Sequence, residues 1–115
     1  MDKPVNRIDV TPGTALPAAG TNILVGTSLL TDDIVPVLDP GLLRIYVCIS
    51  VEGVFSVYRT VGAVSVTENL NSGNPLTAGA AYMFSVPWRA GESINFRYSA
   101  AGGIINKLQV DEAWQ

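Results

Sequence analysis

The sequence contains no histidine and a single cysteine, Cys48. Without histidine, the commonest general base and metal ligand of proteins is missing, and nucleophile activation of the Ser–His or Cys–His kind is excluded. One cysteine cannot form an intrachain disulfide, so Cys48 is interpreted as a small strand residue in a reducing compartment. These absences predict a protein that is not an enzyme and that holds no metal and no cofactor.

Charge is also sparse. Charged residues make up 15% of the chain, and the formal net charge is −3. The few basic residues are scattered, so they cannot form the phosphate-tracking stripe that nucleic-acid binding requires. No apolar run reaches the length of a membrane span. The opening residues, MDKPVNRIDV, show no apolar segment after their charges, so no signal peptide is expected. The sequence therefore predicts neither nucleic acid nor membrane as a partner.

The first part of the chain differs in composition from the remainder. Residues 1–22 contain Pro4, Pro12 and Pro17 with small residues between them. Proline lacks the backbone N–H and disfavours helix at the residue before it, so this stretch is predicted to be an extended N-terminal arm. Because the arm has few large apolar side chains, we expect another subunit or a particle surface to order it. Residues 23–115 are predicted to form one β-sandwich domain.

Alternation of apolar and polar residues recurs along the domain, as is typical of β-strands. The clearest hairpin is predicted over residues 42–61, with a three-residue loop that ends at Gly53 in the left-handed conformation. This register pairs Ile49 with Phe55. Further strands are predicted at 23–30 and 33–39, and several more follow the hairpin.

The apolar positions of these strands predict one shared core. In the segment 63–70, Val64, Val66 and Leu70 are predicted to point inward. The regular strand spacing and the absence of a convincing helix predict an antiparallel two-sheet sandwich, with a jelly roll as the favoured topology. The predicted core layer comprises Ile45, Val47, Ile49, Phe55, Val57, Tyr82, Phe84, Ile94, Phe96 and Leu108.

Three kinds of chemical site have less support in the sequence. A catalytic pair of carboxylates is disfavoured, because Glu52 and Glu92 lie at predicted turns, where charges are usually solvated. The stretch TDDIVPVLDP (31–40) offers aspartates to calcium, but it lacks the spacing of an EF-hand loop. An arginine such as Arg97 is able to bind a carboxylate or a phosphate, although an arginine usually lays its stem along a sheet with its charge in water.

The polar face of the predicted hairpin is more informative. It is predicted to carry Arg44 and Tyr46 opposite Tyr58, beside the strand that holds Arg97. Tyrosine, tryptophan and arginine concentrate at the centres of protein interfaces. We therefore expect a homo-oligomer whose contacts include Arg44, Tyr46, Tyr58, Trp88 and Arg97.

The chain resembles the small β-structured virion proteins of phages and related viruses, which include capsid decoration proteins and jelly-roll capsid or spike proteins. The residues that carry this resemblance are TPGTALPAAGTN near the start and LTAGAAYMFSVPWRAGESINFRYSAAGGIINKLQVDEAW at the end. The resemblance implies a structural role in a virus particle, assembly into a trimer, an arm that reaches over a neighbour, and synthesis in the host cytoplasm. It supplies no active-site residues. A carbohydrate- or receptor-binding sandwich is the alternative.

Overall fold

The computed structural model describes residues 7–23, 41–88 and 92–114. Within them, the only helical segment is a single 3-10 turn, Asn71–Gly73, and the remaining elements are strands. The strands are β1 (Arg7–Val10), β2 (Thr14–Ala15), β3 (Gly41–Ile49), β4 (Phe55–Val61), β5 (Val64–Asn69), β6 (Ala81–Trp88), β7 (Ser93–Tyr98) and β8 (Ile104–Trp114).

These strands form two antiparallel sheets. The five-stranded sheet has the order β1-β8-β3-β6, with β2 also paired to β8, and the three-stranded sheet has the order β5-β4-β7. Alternating residues of both sheets point into a common interior, because successive side chains of a strand point to opposite faces. The predicted two-sheet sandwich is confirmed.

The strand order shows how the chain runs between the two sheets. From β3 onward the chain crosses to β4 and β5 in the three-stranded sheet, returns to β6, crosses to β7 and ends in β8 beside β1. Before this, the Gly20 amide donates to the Tyr98 carbonyl oxygen (2.9 Å) and the Ile23 amide donates to the Phe96 carbonyl oxygen (2.8 Å). Residues 20–23 thus run beside β7. The first and last described strands thus neighbour each other, and the chain crosses repeatedly between the two sheets.

The interior contains the predicted core layer. Phe55 and Phe96 are both fully buried, and their rings stack with centroids 5.4 Å apart. Tyr82 and Phe84 are only partly buried, and they pack against the rest of the core. Residues that the predicted layer did not include complete the core, namely Val10, Leu16, Ile23, Leu43, Leu76, Val86, Tyr98, Ile105 and Val110.

The predicted hairpin over residues 42–61 is wrong. β3 pairs with β6 and β8, whereas β4 pairs with β5 and β7, so the two strands belong to different sheets. Period-two alternation identifies the inward face of each strand, but it does not say which strand lies alongside. Ile49 and Phe55 are both buried, as predicted, but they belong to opposite layers instead of pairing.

Gly53 is consequently needed for a different reason from the one predicted. The φ angle of Gly53 is not positive, so the residue does not adopt the left-handed conformation. Its carbonyl oxygen accepts a hydrogen bond from the Leu76 amide (2.7 Å). A Cβ atom at Gly53 would lie 2.7 Å from the ring of Tyr98. Close packing by Tyr98, rather than turn geometry, therefore requires glycine here.

The inward burial predicted for Val64 and Val66 is also wrong. Register places them beside the inward-pointing side chains of β4, because Arg59 pairs with Val66 and Val61 pairs with Val64. They are nevertheless 64% and 50% exposed. Alternation sets the direction of a side chain, whereas burial also requires a second layer above it. Leu70, at the other end of the same segment, does pack against the core.

Residues 7–23, which form most of the predicted extended arm, lie against the sandwich. β1 pairs with β8 over four residues, β2 pairs with β8 further along, and Val10 and Leu16 are buried in the core. The backbone of this segment finds its hydrogen-bond partners in the sandwich itself. Contact with another subunit is therefore not needed to order it, although such a contact stays a prediction. Of the strand predicted at 23–30, residues 24–30 lie outside the described residues, as do the strand predicted at 33–39 and the aspartates considered as calcium ligands.

Candidate functional site

The structure divides the predicted interface residues between two opposite surfaces. Arg44 and Tyr46 lie on the outer face of the five-stranded sheet, whereas Tyr58 and Arg97 lie on the outer face of the three-stranded sheet. The single surface predicted from the sequence is therefore wrong, because it depended on pairing β3 with β4. Trp88 ends β6, where its backbone pairs with Gly41.

Tyr58 and Arg97 are brought together on the three-stranded sheet. The Arg97 guanidinium carbon lies 3.6 Å from the centroid of the Tyr58 ring, which is a close cation–π contact. The Nε of Arg97 donates a hydrogen bond to Oδ1 of Asn22 (2.9 Å). The guanidinium is therefore held on one face by an aromatic ring and along one edge by an amide.

A trough of about 350 Å³ lies next to this arginine. Besides Arg97, its polar lining comes from Ser56, Thr67, Asn69 and Ser99. The Ser56 hydroxyl donates to Oδ1 of Asn69 (2.7 Å), and the Ser99 hydroxyl accepts from the Val54 amide (2.7 Å). The trough thus combines one cation with neutral hydroxyl and amide groups whose positions are fixed by hydrogen bonds.

Tyr98 also borders the trough, but its hydroxyl has a structural role. It donates to the carbonyl oxygen of Val51 (2.6 Å). Burial, followed by the charges of Glu52 and Tyr82, raises the pKa of Tyr98 above its ordinary value. The phenol is therefore neutral at physiological pH, and it is committed to its backbone acceptor rather than poised for proton transfer.

The outer face of the five-stranded sheet is mixed in character. Tyr46 lies between Met83 on β6 and Gln109 on β8. Met83 is 56% exposed, and it forms a shallow pocket with Tyr46 and Lys107. Arg44 is exposed and lies between Ser85 and Asp111. This face therefore offers an aromatic and a methionine flanked by both signs of charge.

A third surface, which the sequence did not predict, lies at the end of the β4–β5 hairpin. Val61, Val64 and Val66 are 49%, 64% and 50% exposed, and we call them the valine strip. Beside them, Nη2 of Arg59 lies 3.1 Å from Oε2 of Glu68. The strip is on the core side of the sheet, yet it faces solvent.

The strip adjoins a strand edge that no other described strand covers. Backbone groups of an antiparallel strand point alternately toward and away from the neighbouring strand. Because the Leu70 amide donates to the Phe55 carbonyl oxygen (2.9 Å), the backbone groups of Ser65, Thr67 and Asn69 face away from β4. No described strand pairs with them there. β5 also lacks the lysine or proline that commonly protects an edge.

Metal and membrane chemistry find no support in the described part of the chain. Among those residues, no three His, Cys, Asp or Glu side chains cluster in a way that would hold a metal ion. No helix there has the length and hydropathy needed to cross a membrane. Cys48 is a free, half-buried cysteine on the outer face of β3, and its sulfur lies 3.8 Å from Nδ2 of Asn106.

Comparisons with known proteins add no assignment. No protein-family model matches the chain. No curated protein sequence is significantly similar to it. A function is therefore inferred from the surfaces of the molecule, together with the resemblance carried by its first and last segments.

Proposed function

We propose that this protein is a non-enzymatic structural subunit of a virus particle that self-associates and binds the capsid surface. The observation that carries the proposal is the valine strip beside the edge of β5 that no described strand covers. The two-sheet sandwich and the resemblance to virion proteins support the same conclusion. As a decoration protein or capsid component, it would be made in the host cytoplasm and located in the virion.

The valine strip favours contact with another protein for an energetic reason. Complete burial of a valine side chain stabilises by about 1.5–3 kcal/mol, and these three side chains begin about half exposed or more. Covering them requires little desolvation of the adjacent Arg59 and Glu68, because these two charges already pair with each other. A second copy of the chain is therefore a suitable cover.

The symmetry of the contact determines the number of subunits. If the strip met the strip of a second copy about a two-fold axis, the product would be a dimer. A trimer, which the resemblance implies, requires each strip to contact a different surface on the next subunit. The outer face around Tyr46 and Met83 is the candidate for that second surface. We propose the trimer, and a mass measurement distinguishes the two states.

The test is the molar mass in solution of the wild type and of charged variants. Light scattering over a wide range of concentration should show a mass above the 12.2 kDa of one chain, with three times that mass for the trimer. Val64→Lys combined with Val66→Lys should return the protein to one chain, because two ammonium groups would have to be desolvated in the contact.

The matched control places the same two charges on the same strand. Ser65→Lys combined with Thr67→Lys adds them to the opposite face of β5, so this variant should keep the mass of the wild type if the valine side chains, rather than the backbone edge that lysine would protect, form the contact. A wild type that stays at 12.2 kDa at every concentration would overturn the proposed self-association. Equal dissociation of both variants would show that the strip is not the contact.

Arg97 favours a second candidate function. The trough beside it is concave, and hydrogen bonds hold Ser56, Asn69 and Arg97 in its lining. A carbohydrate- or receptor-binding sandwich needs such a site, whereas a subunit that only assembles does not. Binding of a sugar at the trough would therefore add recognition to the structural role.

A further inference from the structure

We propose that the trough beside Arg97 binds a carboxylate-bearing sugar, of the uronic acid class. The proposal does not rest on self-association, because the trough opens on the outer face of the three-stranded sheet and the valine strip lies on the opposite side. Its elements are the guanidinium of Arg97, the neutral groups of Thr67 and Asn69, and the apolar side of Val54.

The guanidinium is positioned before any ligand arrives. Stacking on Tyr58 at 3.6 Å and the hydrogen bond to Asn22 at 2.9 Å fix its plane and one edge. A guanidinium presents five N–H donors, and a carboxylate accepts two of them in parallel. Asn22 uses the Nε donor, so the Nη groups provide the donors for a ligand. Little side-chain entropy is then lost when the ligand binds.

Among the described residues, the Arg97 charge has no acidic partner. Its two contacts are with an amide and a phenol ring, which are neutral. Within residues 7–23, 41–88 and 92–114, the structure shows no carboxylate paired with it. The polar residues lining the trough are likewise uncharged. An unpaired guanidinium attracts an anion. Because its N–H donors lie in one plane, it favours a planar anion such as a carboxylate, which accepts two of them in parallel.

The remaining lining suits the hydroxyl groups of a sugar. Oδ1 of Asn69 accepts from Ser56 (2.7 Å), so the Asn69 amide nitrogen is left to donate. The Thr67 hydroxyl is able to donate or to accept. The volume of about 350 Å³ is at the small end of ligand sites and fits a single sugar ring rather than a long ligand.

D-glucuronate and D-glucose test the proposal directly, because they differ only in the carboxylate at carbon six. Both sugars are titrated into the wild-type protein while its backbone amide signals are followed by NMR. Glucuronate should bind about tenfold or more tightly than glucose, since one charge-assisted hydrogen-bond pair is gained. The shifted signals should belong to the residues around the trough. Acetate, titrated in parallel, supplies a carboxylate without a ring and should bind more weakly than glucuronate.

Arg97→Ala should reduce the affinity for glucuronate about tenfold or more. Arg97→Lys keeps the charge and most of the aliphatic stem but loses the forked guanidinium, so it should also weaken binding. This second variant keeps the test valid if Arg97→Ala fails to fold. The matched control is Arg44→Ala, which removes an exposed arginine from the outer face of the other sheet and should leave the affinity unchanged.

Each remaining outcome overturns the proposal in a defined way. If glucuronate binds no more tightly than glucose, Arg97 does not recognise a carboxylate. If acetate binds as tightly as glucuronate, the trough accepts simple carboxylates and the sugar is not recognised. If Arg97→Ala and Arg97→Lys both keep the wild-type affinity, or Arg44→Ala loses it, the ligand binds elsewhere.

Discussion

The two ends of strand β4 differ in burial although their sequence pattern is the same. We call the end of β4 at Phe55 the closed end and the end at Val61 the open end. At the closed end, the inward residues Phe55 and Val57 are fully buried against the opposite sheet. At the open end, Val61 has the same orientation and is half exposed, together with Val64 and Val66 on β5. Direction is encoded locally by alternation, whereas burial depends on which distant segment covers the side chain.

This difference separates stability from association. The closed end combines stacked rings, a buried Leu76 and the tight contact of Gly53 with Tyr98. The open end holds a strip of valines and one exposed ion pair. Substitutions at the closed end should therefore change the free energy of unfolding. Replacement of the apolar residues at the open end should instead change the molar mass in solution.

The largest effect is expected from Phe96→Ala at the closed end. Phe96 is completely buried and stacks on Phe55, so truncation should lower the free energy of unfolding by about 3–5 kcal/mol. Val66→Ala is the matched truncation at the open end, and it should cost less than about 0.5 kcal/mol in the monomer. Chemical denaturation at low protein concentration measures both. Similar losses in the free energy of unfolding for the two variants would contradict the proposed difference between the two ends of β4.

Glycine substitutions extend the comparison to the residues that flank β4. Gly53→Ala should cost about 1–3 kcal/mol, because its new Cβ would lie 2.7 Å from the Tyr98 ring. Gly62 has a φ of +61° and nothing within 4 Å of a built Cβ. Gly62→Ala should therefore lower the free energy of unfolding by about 1–2 kcal/mol, which is the strain of holding alanine in the left-handed conformation. Tyr98→Phe does not remove the ring, so it should not rescue Gly53→Ala.

Tyr98→Phe should cost about 0.5–1.5 kcal/mol at neutral pH, because the Val51 carbonyl loses its donor. The effect should depend on pH. Burial raises the pKa of Tyr98 above its ordinary value of 10.0, so the folded state holds the phenol proton more tightly than the unfolded state. The stabilisation is complete below pH 10 and is lost as the pH rises through the raised pKa. The free energy of unfolding of Tyr98→Phe should fall less over that range than that of the wild type.

The smallest effect is expected from Glu68→Gln at the open end. Its ion pair with Arg59 is partly exposed, with 25% of the Arg59 side chain and 45% of the Glu68 side chain accessible. Exposed ion pairs contribute about 0.2–1 kcal/mol and are screened by salt. The loss in the free energy of unfolding should therefore shrink when the denaturation is repeated in high salt. A loss that is unchanged by salt would show that Glu68 acts through packing instead.

The sequence was sufficient to predict the inward faces of β3, β4 and β7, because alternation depends only on strand geometry. It was not sufficient to predict the pairing of β3, since residues 50–54 allow either a hairpin or a crossing between sheets. The same error placed Tyr46 and Tyr58 on one surface. Nothing in the sequence around Val64 predicted its exposure.

The trough illustrates a second limit of sequence reasoning. Arg97 and Asn22 are separated by 75 positions along the chain and meet through one hydrogen bond. Their approach follows from residues 20–23 lying beside β7, which is a property of the whole topology. Alternation did place Arg97 on the outward face correctly. The partner that fixes its guanidinium became visible only in the folded chain.

The solvent accessibility of individual methyl groups tests most directly whether a second copy covers the open end. A soluble paramagnetic probe is added to methyl-labelled wild-type protein below and above the concentration at which it associates. On association, the methyl groups of Val61, Val64 and Val66 should lose their paramagnetic relaxation, while the buried methyl groups of Val57 should show little at either concentration. If the protein associates and the three valines remain as accessible as in the monomer, the valine strip is not the surface through which subunits meet.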